Sequence, residues 1–173
     1  MKKISVPHYL EHALYYEPFV ALVDAQIGVL DQLKQQSVQV SEILRSNTPA
    51  GLRTPYAPGK WCILDIIQHL CDVERIFVAR ALRFSRGDTS PQAFFDENQF
   101  ALQALASKKS VSKLLKEYKT NRQASICFFA NQSAAELKHT GIAGNYTMSV
   151  RACAYIICGH EKHHLQIIQE RYV

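Results

Sequence analysis

The segment GHEKHHLQII, residues 159–168, has three histidines within five positions near the end of the chain. His160 and His164 are four residues apart, so on a helix their side chains share one face, whereas His163 points about 100° away from His164. Two imidazoles at this spacing can supply two ligands of a divalent metal ion. A metal site on this helix needs at least one further ligand from another element, and His163 is expected at the rim or surface.

His69 is the candidate for the third ligand. It lies between Ile66 and Val73 on an apolar stripe, which predicts a helix with His69 facing inward. Three histidines from two facing helices form the ligand set of an open zinc-type site with room for water or substrate. Alternatively, each histidine is a core residue bonded to a backbone carbonyl. We favour the metal, because burying three imidazoles otherwise requires three separate partners and each unpaired buried group costs about 1–3 kcal/mol.

Four amphipathic segments can position these histidines. They are residues 19–45 with a break near Gly28 or Ser37, residues 61–87, residues 110–130 and residues 147–172. Their apolar residues recur every three or four positions, which predicts helices, and no run of alternating residues predicts strands. Burying four such stripes against one another predicts an all-α fold, a four-helix bundle.

A long connection between the second and third segments contains the candidate catalytic residues. Residues 87–109 are irregular, with one short helix expected near residues 100–106, and a connection of this length in a compact domain is usually functional or mobile. Asp96 and Glu97 lie within it. Because the connection is long enough to fold over the open side of a metal, these two carboxylates are the candidate catalytic residues.

Other residues near the histidines have simpler interpretations. Trp61, at the end of a loop over residues 47–60, is expected to pack that loop against the end of the bundle. Asp65 either orients a histidine ring nitrogen or is an exposed helix acid. Asp72 and Glu74 are expected to be solvated, and Arg80 is expected to pair with a carboxylate of the protein rather than to bind an anionic substrate.

The composition of the chain limits the possible functions. With 173 residues, 47% of them hydrophobic, and a net charge of +5, the chain is expected to form one domain over residues 1–173, with residues 1–18 as an N-terminal extension. Five cysteines without a CxxC pair favour the reducing cytoplasm, and Cys71 and Cys158 do not share the histidine stripes. No apolar run approaches the roughly 18 residues of a membrane span. The clustered lysines of residues 108–119 indicate a solvated helix face, so nucleic-acid binding is not expected.

Four motifs follow one another along the chain: YAPGKW at residues 56–61, CILDIIQHLCDVERIFVARALRFSRGD at residues 62–88, FDENQF at residues 95–100 and SVRACAYIICGHEKHHLQIIQERY at residues 149–172. Together they resemble the DinB-like superfamily of metal-dependent enzymes. They occur in the order and at the separations typical of the family. The resemblance covers residues 25–172.

This resemblance implies an up-down-down-up four-helix bundle with a divalent metal, often nickel or zinc, held by three histidines. In this chain those are His69, His160 and His164. Characterised members include thiol S-transferases that use bacillithiol and an isomerase that uses mycothiol, and members are commonly homodimers. One relative has glutamate at the position of His160, a departure that this chain does not share.

Three classes of function are compatible with these observations. The first is a metal-dependent enzyme that lowers the pKa of a small thiol and transfers its sulfur to an electrophilic small molecule; activation of water instead would make it a hydrolase. The second is a metal-binding protein without turnover. The third is a DNA-associated stress protein, which is disfavoured because the lysines lie on one predicted helix and no recognition motif accompanies them. The resemblance to S-transferases favours the first class.

Overall fold

The computed structural model describes residues 3–172, and its four longest helices form the predicted bundle. In chain order the elements are α1 (Glu17–Leu22), α2 (Val29–Ser46), α3 (Ile63–Ser85), α4 (Glu97–Ala104), α5 (Val111–Asn131), strands β1 (Thr140–Ala143) and β2 (Tyr146–Ser149), and α6 (Val150–Arg171). Short 3-10 turns lie between several of them. Among the residues described, no helix combines the length and hydropathy that a membrane span requires.

The bundle helices follow the expected up-down-down-up order. Helices α3 and α5 run parallel, because Gln68 contacts Glu117 and, further along both helices, Glu74 contacts Arg122. Helix α6 runs antiparallel to α3: its His160 lies beside His69, and Tyr172 at its end bonds to Trp61, which precedes the start of α3. Two parallel neighbours require a connection that returns along the whole bundle, about 34 Å for a helix of the length of α3. This requirement explains the long segment between α3 and α5.

The first amphipathic segment is interrupted at Gly28, one of the two positions expected. Gly28 has a φ of 85°, a conformation that glycine adopts without the steric cost of a Cβ. The side chain of Gln32 closes the break: its amide donates to the Asp24 carbonyl and its oxygen accepts from the Asp24 backbone N–H, at 2.8 and 2.9 Å. As a result α1 is a separate short helix that can tilt towards α6.

A β-hairpin precedes α6, and the expectation that no strands occur was wrong here. Strands β1 and β2 pair antiparallel around a two-residue turn that begins with Gly144, whose φ is 61°. Strands of four residues are too short for a periodicity of two to stand out from a loop sequence. Helix α6 therefore begins at Val150 instead of residue 147. The backbone of Gln92 bonds to Ile142 of β1 and to Gly144 at the start of the turn, and so ties the long connection to the hairpin.

The N-terminal segment packs onto α6. Ile4 is buried, and its carbonyl accepts a hydrogen bond of 2.9 Å from the hydroxyl of Tyr155. Glu11 forms an ion pair with Arg151. Through these contacts the residues before α1 pack against the bundle.

Helix α1 approaches α6 most closely at Gly159. A Cβ at this position would lie 1.8 Å from the carbonyl oxygen of Phe19. We expect Gly159→Ala to lower the free energy of unfolding in urea by about 1–3 kcal/mol, although the same change in an open helix interior stabilises by about 1 kcal/mol. Because the obstructing atoms are backbone, adding Phe19→Ala should not restore the loss. A Gly159→Ala protein more stable than the parent would contradict the close approach.

All four bundle helices meet at a buried charged centre. Arg122 of α5 donates to both carboxylate oxygens of Glu74 on α3, at 2.9 and 3.0 Å, and to the Leu33 carbonyl on α2, at 3.0 Å. Its guanidinium also contacts Glu161 of α6, which accepts a hydrogen bond from Tyr118. Burial raises the pKa of Glu161. The expectation that Glu74 is solvated was wrong, because its side chain is the carboxylate partner of Arg122.

Candidate metal centre

Three histidines from α3 and α6 converge inside the bundle. His69 and His160 approach through their Nε2 atoms at 3.2 Å, and His160 and His164 do so at the same distance. One ring nitrogen from each of the three lies within 4.8 Å of the others. Two nitrogens bound to one tetrahedral zinc ion at about 2.0–2.1 Å are about 3.3 Å apart. The spacing of these rings therefore fits a single divalent ion.

The three rings are neutral in this setting. Burial lowers the pKa of His69 to about 4 and that of His164 to about 3, and it also lowers the pKa of His160. Nearby histidines add to this effect at His160 and His164. A neutral imidazole has a lone pair available for a metal, so these side chains can bind a metal at neutral pH without first losing a proton.

The alternative, in which each histidine is a core residue bonded to a backbone carbonyl, does not fit His164. Its Nδ1 is buried without a hydrogen-bond partner among the described residues, and its Nε2 faces another Nε2. Where the Nε2 atoms of two neutral rings face each other, only one of the two nitrogens can carry a hydrogen, so at most one hydrogen bond forms between the rings. The convergence of all three rings fits a metal ion better than three separate hydrogen bonds to backbone carbonyls, and metal binding itself stays a prediction.

Aromatic side chains enclose the three histidines. The ring centroid of Trp61 lies 4.8 Å from that of His69 and 6.4 Å from that of His164. Phe19 meets the edge of His160 at 5.3 Å. Trp61 was expected only to pack its loop against the bundle end, and its contacts with two candidate ligands go beyond that. His163 is exposed, as predicted, and is not part of the converging group of three.

Asp65 caps α3 and does not orient His69. Its carboxylate accepts a hydrogen bond of 3.1 Å from the backbone N–H of Cys62, the residue that precedes the helix. Acidic residues at the third helical position commonly close a capping box in this way. The cap fixes where α3 begins, and this start places His69 on the inward face.

A cavity of about 520 Å³ opens beside His160. Its walls come from the N-terminal segment, α3, the long connection, the hairpin and α6, and they are mostly apolar and aromatic. The residues that line it are Ala13, Tyr15, Tyr16, Phe19, Val73, Phe77, Arg80, Phe94, Phe95, Asp96, Glu97, Tyr146, Ile156 and His160. A ligand in this cavity would be in contact with one of the three histidines.

Asp96 and Glu97 lie at the mouth of this cavity, where the long connection folds over it. Both are exposed. One carboxylate oxygen of Asp96 accepts hydrogen bonds from the backbone N–H groups of Asn98 and Gln99, both at 3.0 Å. Asp96 therefore caps α4, which begins at Glu97 and not near residue 100. Of the two candidate catalytic carboxylates, Glu97 is the one without this structural task.

Arg80 has a setting that the sequence analysis did not predict. Its side chain is buried in the cavity wall and donates a hydrogen bond of 2.7 Å to the carbonyl of Ala93. The guanidinium carbon lies 5.2 and 5.8 Å from the ring centroids of Phe77 and Phe95. The expected carboxylate partner was wrong, because no described acidic residue forms an ion pair with Arg80. The inward stripe of α3 had indicated burial but could not show which side chains the long connection would bring to it.

Comparisons with known proteins agree with this fold. The family model of the DinB superfamily matches residues 32–168. A search of the curated proteins finds no significant match. Among solved structures, the chain is similar to YfiT from Bacillus subtilis, with a TM-score of 0.74 and 16% sequence identity over 82% of each chain. That protein is described as a probable metal-dependent hydrolase with an unusual four-helix bundle topology.

Proposed function

Because this chain belongs to the DinB superfamily, we propose that it is a divalent-metal-dependent enzyme that transfers a small thiol to an electrophilic small molecule. The observation that supports this most directly is the convergence of three neutral imidazoles beside an aromatic cavity. His69, His160 and His164 would hold the ion, nickel or zinc. The bound ion supplies Lewis acidity, which lowers the pKa of a thiol or of water.

The charge of the ligand set supports an anionic nucleophile. Three neutral imidazoles leave the double positive charge of the ion uncompensated, which favours thiolate or hydroxide over a neutral ligand. The buried setting strengthens this preference, since charges interact more strongly away from water. The protein's own part is to keep the three rings unprotonated and to exclude water with Trp61 and Phe19.

The cavity supports a small organic electrophile as the second substrate. Its aromatic walls, which include Tyr16, Phe19 and Phe77, suit an apolar molecule of small size. In the proposed reaction the thiol gives up its proton, its sulfur bonds to the electrophilic carbon, and the leaving group departs from that carbon. Glu97, exposed at the cavity mouth, is the candidate to pass the proton to solvent.

A conjugation assay tests this function. Zinc-loaded and nickel-loaded protein is incubated with monochlorobimane and, in turn, glutathione, cysteine, coenzyme A, bacillithiol and mycothiol. A free thiol is only a few per cent ionised at pH 7, so full ionisation raises its rate by on the order of 30-fold. We expect at least one thiol to be conjugated on this scale, with fluorescence as the readout. The advantage over the uncatalysed reaction should shrink as the pH rises towards 9, where the free thiol ionises by itself.

The matched control is His160→Ala, which removes one ring from the three. Conjugation no faster than with this variant, for every thiol tried and with both metals, would contradict the transferase. If the loaded protein then hydrolysed p-nitrophenyl acetate faster than the variant, hydrolysis would be the function, since the same charge favours hydroxide. If neither reaction were accelerated, the protein would be a metal-binding protein without turnover on these substrates. Assembly as a homodimer stays a prediction.

A further inference from the structure

Arg80 is a buried cation without a buried anion. Its side chain is 4% exposed, and within residues 3–172 its guanidinium forms no ion pair with a carboxylate. The other fully buried arginine, Arg122, is paired with Glu74 and contacts Glu161. Removing a charge from water without a partner is costly. Arg80 therefore lacks the carboxylate partner that Arg122 has.

The donors of Arg80 are only partly used by the protein. A guanidinium carries five N–H donors, and one of its nitrogens bonds to the Ala93 carbonyl. The Tyr16 hydroxyl faces the same group, and Phe77 and Phe95 flank it. A planar guanidinium held between aromatic rings is well suited to bind a carboxylate through two parallel hydrogen bonds.

The cavity connects Arg80 to the three histidines. Arg80 and His160 line the same cavity, and Arg80 follows His69 on α3 by eleven residues, about 16 Å of helix rise. This separation along the backbone favours an extended ligand over a compact one. Asp96 and Glu97 at the mouth would repel a second negative charge on it.

We infer that Arg80 anchors the carboxylate of an extended, largely apolar monocarboxylate whose other end reaches the three-histidine site. Binding of the carboxylate end is inferred from the cavity and from Arg80 alone. That the other end of the ligand is the one that reacts rests on the proposed function. Either the thiol or the electrophile could bring the carboxylate.

Binding of a matched pair of probes tests the anchor. The probes are 4-phenylbutyrate and its neutral amide, 4-phenylbutyramide, and their dissociation constants are measured by calorimetry on the metal-free protein, where no ion can attract the carboxylate. We expect the carboxylate to bind at least about 10-fold more tightly than the amide, because charge-assisted bonds are roughly twice as strong as neutral ones. In Arg80→Gln this difference should disappear, and in Arg80→Lys part of it should remain.

Arg83→Gln is the matched control. Arg83 lies one turn further along α3, is exposed, and ties the same connection through Asp88 and Gln92, so its loss should leave the preference for the carboxylate intact. Equal affinity for the two probes in the parent, or no binding of either, would overturn the inference. So would equal weakening of both probes in Arg80→Gln, which would mean that Arg80 only holds the connection through Ala93. Because metal content and conjugation are measured separately, failure of the proposed function would not change these results.

Discussion

We expect His160→Ala to abolish stoichiometric metal binding. His160 lies between the other two rings, with its Nε2 3.2 Å from the Nε2 of both His69 and His164, so its removal separates the remaining ligands. Loss of a residue that only supports a ligand weakens metal binding by about 10–100-fold, and loss of a ligand should exceed that range. Elemental analysis of protein purified without a histidine tag should find about one metal per parent chain and none in the variant.

His163→Ala controls for a general loss of histidine from α6. His163 is exposed, although its ring lies 5.7 Å from that of Phe19, so its removal should leave the metal content unchanged. His69→Ala and His164→Ala should behave like His160→Ala. Release of metal by His163→Ala alone, or a parent protein without metal, would rule out the three-histidine assignment.

The second large effect concerns Arg122. Replacing it with methionine leaves Glu74 and Glu161 buried beside each other without their shared cation. Removing one partner from a buried ion pair costs about 3–5 kcal/mol, so we expect Arg122→Met to lower the free energy of unfolding in urea by that amount. Since the guanidinium also bonds to the Leu33 carbonyl, the variant loses a contact common to all four bundle helices.

Two comparisons isolate the buried charge as the cause. Arg75 pairs with Glu117 and Asp72 on the surface, and exposed pairs contribute about 0.2–1 kcal/mol, so Arg75→Met should have a small effect. Replacing the whole centre, with Arg122→Met, Glu74→Leu and Glu161→Leu, should recover much of the stability, because it removes the uncompensated charges. An Arg122→Met protein within 1 kcal/mol of the parent would show that the centre does not hold the helices together.

Much of the fold could be predicted from the spacing of apolar residues. Helices of 18 to 23 residues repeat the helical period often enough to be recognised, and Gly28 marked a break. The hairpin could not be found in this way, since two strands of four residues follow no clear pattern. The charged centre had left a signal: Arg122 lies four residues from both Tyr118 and Ile126, on the inward stripe of α5.

The candidate site divides in the same way. His69, His160 and His164 could be predicted because the helical periods of α3 and α6 place them on the inward faces of two facing helices. Residues brought together by irregular backbone were not predictable, since no period governs their direction. The contact of Phe19 with His160 depends on the close approach of α1 to Gly159, and the setting of Arg80 depends on where the connection carries Ala93.

The break at Gly28 separates two parts of the chain with different roles. Tyr15, Tyr16 and Phe19 line the cavity, yet they precede residue 32, where the match to the superfamily begins. The three candidate ligands, His69, His160 and His164, all lie within the matched part. A chimaera that exchanges the first 28 residues for those of another protein would thus replace one side of the cavity and leave the ligand set intact. Under the proposed function, such an exchange would change the selectivity for the electrophile while His69, His160 and His164 stay in place.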